Sequence, residues 1–392
     1  MIQKWKPTRL GDICKTNQQT YSVAEKWPFV NYLDTGNITE NRVSEIKHIV
    51  IGQDTFPSRA RRKVAVDDIL YSTVRPNQRH YGIVKEVLPN MLVSTGFTVI
   101  TANKAVADSD FLYYYLSQDD IVRSLHAIGE QSVSAYPSIK PSDIEVLELL
   151  LPSLEEQREI GYTLRALDDK ITNNTKINNH LEQLAHTIFK SSFIGYEPTK
   201  PFTEVVQVLG GGTPKTTKTE YWDGSIPFFT PKDTQSLYIL NTEKTLTEAG
   251  LSNCNSRLYP VNTVFVTARG TVGKLAIAGV PMAMNQSCYA LVGNSGYGQH
   301  FAYHLALETV ERLKHKASGA VFDAIVTRDF ESEMVAVPPI DVVNEFENNV
   351  KPIYEALLNN VKESFRLSSL RNSLLPKLMS GELKIADSGD TK

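Results

Sequence analysis

An internal repeat of roughly 190 residues constrains this chain more than any other feature. The segment Asp143–Ile188 matches Asp329–Leu374 without a gap, at a separation of 186 residues. Upstream the separation changes, as loop insertions would make it. The pairs there are Phe111 with Phe301 and Tyr113 with Tyr303 at 190, Arg75 with Arg269 at 194, and Thr35 with Thr230 at 195. A period this long excludes short-repeat solenoids and predicts two tandem copies of one unit, related by a pseudo-twofold axis.

The last part of each copy has the pattern of a long helix. In the first copy, positions 160, 164, 167, 171, 174, 178, 181, 185 and 188 alternate steps of four and three, and all are apolar except Asn174 and Asn178. Such heptad spacing is typical of a helix that packs along another helix. The second copy repeats the stripe from Phe346 onward. Residue types that favour helix ends flank both segments, namely Pro152 and Pro338 before them and Gly195 and Gly381 after them.

We predict that the two helices pair with each other as an antiparallel coiled coil, because elements related by twofold symmetry run in opposite directions. The residues predicted to form the contact are Leu164, Leu167, Ile171, Asn174 and Leu181 in the first helix and Val350, Ile353, Leu357, Asn360 and Leu367 in the second. A polar Asn at the same position of both seams can fix the register at some cost in stability. About 36 residues at 1.5 Å each give a spacer of about 54 Å. The alternative is that each helix packs on its own globular part.

The globular part of each copy has a mixed α/β (α+β) pattern. The strand-like runs are Thr98–Thr101, Val264–Thr267 and Ala276–Ala278. The helix-like runs are Asp110–Leu125 and Gly298–Lys314. The predicted order is a globular domain at 1–152, a helical spacer at 153–196, a second globular domain at 197–338, a second spacer at 339–385 and a disordered tail at 386–392.

Composition describes an ordinary water-soluble chain and leaves its function open, with 41% hydrophobic and 22% charged residues. Cys14, Cys254 and Cys288 are widely separated, which argues against a disulfide framework or a zinc site. No apolar run resembles a signal peptide or a membrane span, so we expect a cytoplasmic protein with no membrane partner. The net charge of −3 is not that of a basic DNA binder, so any contact with nucleic acid must come from local patches.

The sequence lacks the motifs of common catalytic and cofactor sites. The glycine run Leu209–Lys215 and the segment Gly270–Lys274 both lack the spacing of a phosphate-binding loop. There is no G-x-G-x-x-G for a methyl-donor pocket, no H-E-x-x-H pair among the eight histidines, and no convincing carboxylate–lysine cluster for metal-dependent cleavage. We therefore predict no catalytic residue, no bound metal and no bound cofactor, and assign any catalysis to a partner.

Basic and polar residues cluster at similar places of the two globular parts. They are Arg59, Arg61, Arg62, Lys63, Arg75, Asn77 and Arg79 in the first, and Thr213, Lys215, Lys218, Lys232, Arg269 and Lys274 in the second. Lys and Arg neutralise phosphates, while Arg, Asn and Gln can hydrogen-bond base edges. Arg75 and Arg269 stand out because each follows a strand-like run. The clusters predict double-stranded DNA as the ligand, and the alternative for any single residue is a solvated charged surface.

Several motifs resemble those of the specificity subunits of Type I restriction–modification systems. They are Leu151–Ile160, which contains Leu-Pro-Ser-Leu-Glu-Glu-Gln-Arg-Glu-Ile, then Asp168–Ile171, Gly210–Pro214, Ile226–Thr230 and the closing Leu374–Leu383, which contains Leu-Met-Ser-Gly-Glu-Leu. The resemblance covers both copies and nearly the whole length. One departure is the second helix start, Val337–Phe346, which lacks the Glu-Glu-Gln-Arg run.

The resemblance implies that the globular parts are two target-recognition domains, each reading one half of a bipartite DNA target, and that the helices set the gap between the halves. It also implies two methyltransferase subunits and restriction (motor–nuclease) subunits as partners. S-adenosylmethionine for adenine N6 methylation, and ATP and magnesium for cleavage, would then be bound by those partners and not by this chain.

Two other functions remain open from the sequence. The chain could be a coiled-coil scaffold whose globular parts bind proteins, in which case replacing Arg75 and Arg269 would leave DNA binding unchanged. It could also be an enzyme with an unrecognised site, which would require activity from the isolated chain.

Overall fold

Two long helices each cross the boundary between two structural units. In the computed structural model, which describes residues 5–131, 137–294, 296–316 and 324–385, unit 1 comprises Met1–Lys170 and Leu367–Lys392, and unit 2 comprises Ile171–Arg366. The boundary falls inside both helices, so each unit contains a segment of each. The predicted tail at 386–392 lies outside the described residues.

Unit 1 contains two four-stranded sheets. Its strands are β1 (Lys6–Arg9), β2 (Cys14–Thr16), β3 (Phe29–Leu33), β4 (Ile38–Thr39), β5 (Arg42–Val43), β6 (Lys47–Val50), β7 (Ala60–Lys63), β8 (Ile69–Ser72), β9 (Tyr81–Ile83), β10 (Met91–Ser94), β11 (Phe97–Ala102) and β12 (Glu148–Leu151). Its short helices are α1 (Leu10–Ile13), α2 (Ser109–Ser117), α3 (Asp119–Glu130) and α4 (Pro141–Glu145), and the long helix α5 (Leu154–Phe193) begins here. The sheet orders are β2-β11-β8-β9 and β6-β3-β10-β7.

Unit 2 also contains two larger sheets, one of five strands and one of three. Its strands are β13 (Pro198–Pro201), β14 (Val206–Gly210), β15 (Trp222–Phe229), β16 (Tyr238–Ile239), β17 (Lys244–Leu246), β18 (Val264–Thr267), β19 (Leu275–Ala278), β20 (Ala283–Met284), β21 (Cys288–Gly293) and β22 (Met334–Ala336). Its helices are α6 (Phe202–Val205), α7 (Glu248–Ser252), α8 (Gln299–Lys316), α9 (Thr327–Glu331) and the first part of the long α10 (Ile340–Met379). The sheet orders are β14-β21-β18-β19-β16 and β17-β15-β20.

Matching hydrogen bonds show that the units are copies of one fold. In unit 1 the Ile139 amide donates to the Thr73 carbonyl at 2.8 Å, and in unit 2 the Ile325 amide donates to the Ala268 carbonyl at 2.9 Å. Strands β8 and β11 pair antiparallel, as do their counterparts β18 and β21. The prediction of two tandem mixed α/β parts, each followed by a long helix, is confirmed.

One predicted helix is wrong. The run Asp110–Leu125 is two helices, α2 and α3, because Gln118 between them has extended backbone (φ −62°, ψ 142°). Asp119 and Asp120 open the second helix, where acidic side chains favour the positive end of the helix dipole. The sequence pattern did not separate the two, because apolar residues continue at helical spacing across the break.

The two long helices have the same length and begin at equivalent positions of the two copies. Each contains 40 residues, and each is followed two residues later by a glycine with positive φ, Gly195 at 83° and Gly381 at 73°. This left-handed conformation is a common way for a helix to end. None of the described helices is long and apolar enough to cross a membrane.

Within unit 2 the segments of α5 and α10 contact each other in opposite directions. Asn174 donates through Nδ2 to Glu363 at 2.8 Å and to Ser364 at 3.2 Å. Four residues further along α5, Asn178 donates to the Leu357 carbonyl at 3.3 Å and accepts from Asn360 at 2.8 Å. Residues later in α5 thus contact residues earlier in α10, so these two segments are antiparallel. None of the ten residues predicted to pair is exposed.

The Glu-Glu-Gln-Arg motif at the start of α5 anchors that helix within unit 1. Gln157 is fully buried; it donates to the carbonyls of Val106 and Pro152 at 3.1 Å and accepts from the Asp108 amide at 2.9 Å. These bonds satisfy backbone groups that burial would otherwise leave without partners. The corresponding residue of α10, Val343, is also fully buried. The second copy therefore replaces a hydrogen-bonded anchor with an apolar one.

His300 and His304 are buried in unit 2, where α8 contacts segments of α5 and α10, and the half-buried His186 lies beside them. The Tyr354 hydroxyl lies 2.9 Å from Nε2 of His304, and Nδ1 of His304 lies 3.5 Å from Nδ1 of His186. His300 contacts Glu347 at 2.8 Å. Burial, together with the nearby His186 and His300, lowers the pKa of His304 to about 3. His304 is therefore neutral in the folded unit.

We predict that acid destabilises unit 2 through His304. A histidine of an unfolded chain takes up a proton below about pH 6.5, whereas folded His304 stays neutral until the pH approaches 3. The unfolded state binds more protons in this window, so stability present above pH 6.5 is lost as the pH falls, by about 2 kcal/mol between pH 7 and pH 5. Urea unfolding at the two pH values should show this loss in the wild type and a smaller one in the double variant H304F/Y354F.

A matched control is available on α5. His180 is exposed, so H180Q should keep the full loss of unfolding free energy. Glu182 changes the free energy of unfolding in the opposite direction as the pH falls, because burial raises the pKa of its carboxyl. It is present in the wild type and in both variants, so it does not account for a difference between them. An equal loss in the wild type and in H304F/Y354F would contradict the assignment to His304.

Candidate nucleic-acid interface

In unit 1, polar side chains meet where two parallel strands end. Strands β3 and β10 are parallel neighbours, so the residues that follow them, Asp34 and Thr95, lie at the same edge of the sheet. Strand β7 runs antiparallel to β10 and begins at this edge, and the Thr95 amide donates to the Arg59 carbonyl at 2.9 Å. We call the loops 34–37, 57–59, 73–77 and 94–96 edge 1.

Asp34 is held firmly within edge 1. Its carboxylate accepts from the Thr35 amide at 2.8 Å, and the Tyr32 and Ser94 side chains lie beside it. Burial opposes ionisation of this carboxyl, but the Thr35 amide, the Tyr32 and Ser94 hydroxyls and the charge of Arg59 outweigh it and lower the pKa of Asp34. The group is therefore a fixed negative charge at neutral pH.

Three of the predicted DNA-binding residues of unit 1 are exposed on edge 1, namely Arg59, Arg75 and Asn77. The 73–77 loop is tied to the 94–96 loop, because the Thr73 hydroxyl donates to the Gly96 carbonyl at 2.9 Å. Arg75 has positive φ (47°), and its amide donates to the Pro137 carbonyl at 2.9 Å. The backbone of this loop is thus fixed by hydrogen bonds at both of these points.

Three of the other four predicted cations of unit 1 interact with protein groups, and the fourth, Arg62, is half-buried. Arg61 lies over the Phe56 ring at 5.7 Å, and Lys63 lies over the Trp27 ring at 5.2 Å while forming an ion pair with Glu25. Arg62 is half-buried, and burial lowers its pKa.

Arg79 forms ion pairs with Asp119 at 2.6 Å and Glu40 at 3.5 Å. The structure therefore does not bring Arg61, Arg62, Lys63 and Arg79 together with the exposed cations of edge 1, and their contact with DNA stays a prediction.

Unit 2 has a corresponding edge. Strands β15 and β20 are parallel neighbours, and the residues that follow them are Thr230 and Asn285. The Arg269 amide donates to the Ser287 carbonyl at 3.3 Å, and the Thr271 hydroxyl donates to the Pro231 carbonyl at 3.5 Å. We call the loops 211–213, 230–233, 269–274 and 285–287 edge 2.

Edge 2 brings together four of the six predicted residues of unit 2, which are exposed there: Thr213, Lys232, Arg269 and Lys274. Thr213 hydrogen-bonds the side chain of Gln286. The remaining two lie beside aromatic residues and not on this edge. The Lys215 carbonyl accepts from the Trp222 indole at 3.4 Å, and Lys218 lies over the Tyr221 ring at 5.1 Å.

The sequence predictions named Asn77 and Thr213 but missed other uncharged and acidic members of both edges. Asp34 and Ser94 belong to edge 1, with Tyr32 beside them on β3, and Asn285 and Gln286 belong to edge 2. The sequence Asp34-Thr35-Gly36-Asn37 is recognisable as a turn, but nothing in it indicates that Asp34 belongs to the candidate interface. A two-residue strand such as β20 leaves no periodicity in the sequence, so the position of Asn285 at a strand end could not be predicted.

Two predicted pairs of equivalent residues are wrong by one position. Isolated bridges join Val74 to Ser138 and Arg269 to Ala324, so Arg269 corresponds to Val74. Arg75 then corresponds to Gly270, and both have positive φ, 47° and 82°.

The second pair is shifted in the same way. The Asn37 amide donates to the Asp34 carbonyl at 3.1 Å, and the Asp233 amide donates to the Thr230 carbonyl at 3.0 Å. In each pair the donor lies three residues after the acceptor. Thr230 therefore corresponds to Asp34 and not to Thr35. Backbone hydrogen bonds define these equivalences, whereas the shared residue types at Arg75 and Arg269 do not.

A cleft of about 820 Å³ in unit 1 lies outside edge 1 and has paired charges. Its lining includes the Asp119–Arg79 ion pair and an ion pair between Arg371 and Asp168. Tyr114 donates to Asp168 at 2.6 Å, and burial and the charge of Asp168 raise the pKa of this tyrosine well above its usual range. No group of three or more potential metal ligands occurs among the residues described.

Comparisons with known proteins agree on one family. The family described as "Type I restriction modification DNA specificity domain" matches residues 2–183 and 195–354. Among relatives, the HindI specificity subunit of Haemophilus influenzae is 24% identical over 97% of this chain and 100% of its own length. The MjaIX specificity subunit of Methanocaldococcus jannaschii is 24% identical over 91% of this chain and 84% of its own length. These names describe the relatives.

A solved structure supports the fold. The S subunit of a Type I restriction–modification system from M. genitalium superimposes with a TM-score of 0.59, covers 97% of each chain and shares 14% of its residues with this protein. At that identity the likeness shows a common fold.

We predict that G211A disrupts edge 2 whereas G210A does not. A Cβ at Gly211 would lie 2.2 Å from the Asn285 carbonyl oxygen, so the backbone after β20 must move. A Cβ at Gly210 meets nothing within 4 Å. We expect G211A to lose about 1–3 kcal/mol of unfolding free energy, measured by urea denaturation. Equal stability of the two variants would show that the loops of edge 2 are not packed as described.

Proposed function

The chain belongs to the family of Type I restriction modification DNA specificity domains, and we propose that it is the sequence-reading subunit of a Type I restriction–modification complex. Each unit reads one half of a bipartite target in double-stranded DNA. The observation that carries this proposal is the presence of a polar, partly cationic edge at the same place of the fold in both units. Two copies of one reading scaffold are what a split target requires.

The composition of the two edges supports reading of sequence as well as attraction to phosphates. Both contain exposed arginines, which can bind phosphates or guanine, together with amide or hydroxyl side chains that can hydrogen-bond base edges. The edges differ in detail, since Asp34 corresponds to Thr230. Two different edges on one scaffold favour two half-sites of different sequence.

We assign the chemistry to partners. The chain would dock two methyltransferase subunits, which bind S-adenosylmethionine and methylate adenine at N6, and through them restriction subunits that use ATP and magnesium. The paired helices would set the gap between the half-sites. Binding of both halves by one chain gives each half-site a high effective concentration for the other, while each discriminating base contact contributes about 1–3 kcal/mol. We expect the complex to work in the cytoplasm.

The first experiment compares the purified chain alone with the chain plus its methyltransferase partner. We expect adenine methylation at a split target only with the partner, because the chain supplies recognition and the partner supplies the active site. Methylation by the chain alone would favour an enzyme with an unrecognised site.

The second experiment tests the exposed arginines. R75A/R269A in the complex should weaken binding to the target and lower the slope of log affinity against log salt by about 2, roughly one for each phosphate that is no longer neutralised. The matched control K6A/K200A removes two charges from exposed positions on β1 and β13, in other sheets, and should leave the slope unchanged. An unchanged slope in R75A/R269A would favour a protein-binding scaffold instead.

A further inference from the structure

A tight turn of the same construction lies on each edge, between β10 and β11 in unit 1 and between β20 and β21 in unit 2. In unit 1 the Gly96 amide donates to the Ser94 hydroxyl at 3.3 Å. In unit 2 the Ser287 amide donates to Oδ1 of Asn285 at 3.0 Å. In both turns the side chain of the first residue holds the backbone of the third. The residue between them is therefore presented by a fixed backbone.

The middle residue of each turn is exposed, and it is Thr95 in unit 1 and Gln286 in unit 2. The carbonyl of the residue that follows accepts from an amide at 2.8 Å, that of Thr73 in unit 1 and that of Ala268 in unit 2. Since Thr73 and Ala268 are equivalent, the two middle residues occupy the same place of the fold. The backbone of the turn is thus common to both edges, whereas the side chain that it presents differs.

The side-chain amide of Gln286 has a fixed orientation. The Thr213 hydroxyl donates to Oε1 of Gln286. The loop that carries Thr213 is itself held against this turn, because the Gly212 amide donates to the Met284 carbonyl at 3.2 Å. In the part of the chain that the structure describes, no protein group accepts from Nε2 of Gln286. Because Oε1 has a second lone pair, the side chain presents an acceptor and a donor side by side.

An acceptor beside a donor matches one base in particular. In the major groove adenine presents its N6 amino group as a donor and N7 as an acceptor, so a glutamine amide can form two hydrogen bonds with it. Guanine presents two acceptors there, O6 and N7, and the amide oxygen would be repelled by one of them. A hydroxyl such as that of Thr95 can contact several bases and discriminates less between them.

We propose that Gln286 recognises an adenine in the half-site read by unit 2, and that Thr213 is the residue that positions its amide. This inference rests on the proposed function. It applies to unit 2 alone, because Thr95 occupies the equivalent place on edge 1.

The test uses the complex of the full chain with its methyltransferase partner and a DNA library randomised across the target. Q286A removes both hydrogen-bonding groups of the side chain. We expect Q286A to lose roughly tenfold of the preference for adenine at one position of one half-site. Preferences at other positions and the slope of log affinity against log salt should stay unchanged, because the substitution removes no charge.

A modified base identifies the contact directly. Target DNA with 7-deazaadenine at that position keeps the N6 amino group but lacks the N7 acceptor. The wild-type complex should bind this DNA more weakly than the unmodified target, whereas the Q286A complex should bind both equally. A purely structural role of Gln286 would not make the effect of the modified base depend on this side chain.

Two substitutions at Thr213 test the positioning role. T213V removes the hydroxyl and nearly keeps the shape of the side chain, whereas T213S keeps the hydroxyl. We expect T213V to weaken the adenine preference by a smaller factor than Q286A, and T213S to retain it. Because Thr213 and Gln286 are exposed, all three variants are expected to fold, and urea denaturation checks this.

Q207A is the matched control. Gln207 is an exposed glutamine on β14 of the same unit, and its side chain hydrogen-bonds Asn294 at 3.4 Å, outside edge 2. The same substitution there should leave every base preference unchanged.

The possible outcomes separate the proposals. Unaltered preference at every position in Q286A, an equal loss of affinity for all sequences, or loss of preference for a base other than adenine overturns the role of Gln286. An adenine preference that is kept in full in T213V, or lost equally in T213V and T213S, overturns the positioning role of Thr213. If the wild-type complex itself shows no preference for a split target, the proposed function fails before Gln286 is tested.

Discussion

Each unit of this protein depends on packing against a helix segment that belongs to the other copy of the repeat. The core of unit 1 includes Leu378 and Met379 from the end of α10, and the core of unit 2 includes Ala185 and Phe189 from the end of α5. Burial of such side chains is the largest favourable contribution to folding. Neither globular part completes its core from its own copy alone, so the folding of each unit depends on a helix segment that belongs to the other copy.

Under the proposed function, the fold separates the groups that support the sheets from the groups that recognise DNA. The supporting hydrogen bonds, such as Ile139 to Thr73 and Ile325 to Ala268, are the same in both units. The side chains at the ends of the parallel strands differ, with Asp34 in one unit and Thr230 in the other. Under the proposed function, a change at these edges alters the bases that are read while the sheets stay intact, since loop residues contribute little to the cores.

The repeat, the helices and the fold class could be predicted because they depend on periodic burial, which the sequence carries directly. The helix break at Gln118 could not, since it interrupts no apolar period. Site residues were harder. The charge pattern singled out Arg59, Arg75 and Arg269, which are exposed on the two edges, and also Arg79, which forms ion pairs with Asp119 and Glu40. Contact of each with DNA stays a prediction. Asp34 lies beside Ser94 and Gln286 hydrogen-bonds Thr213. These neighbours are distant in sequence, and only the pairing of strands reveals them.

The central claim is that two equivalent edges read two separate half-sites. The most direct measurement is a map of methylated adenines in the DNA of a host that carries this chain and its methyltransferase partner, compared with the same host lacking this chain. The account predicts methylation at a motif of two short defined blocks separated by a constant number of unspecified bases, and none without the chain. A single continuous motif, or the same methylation in both hosts, would contradict it.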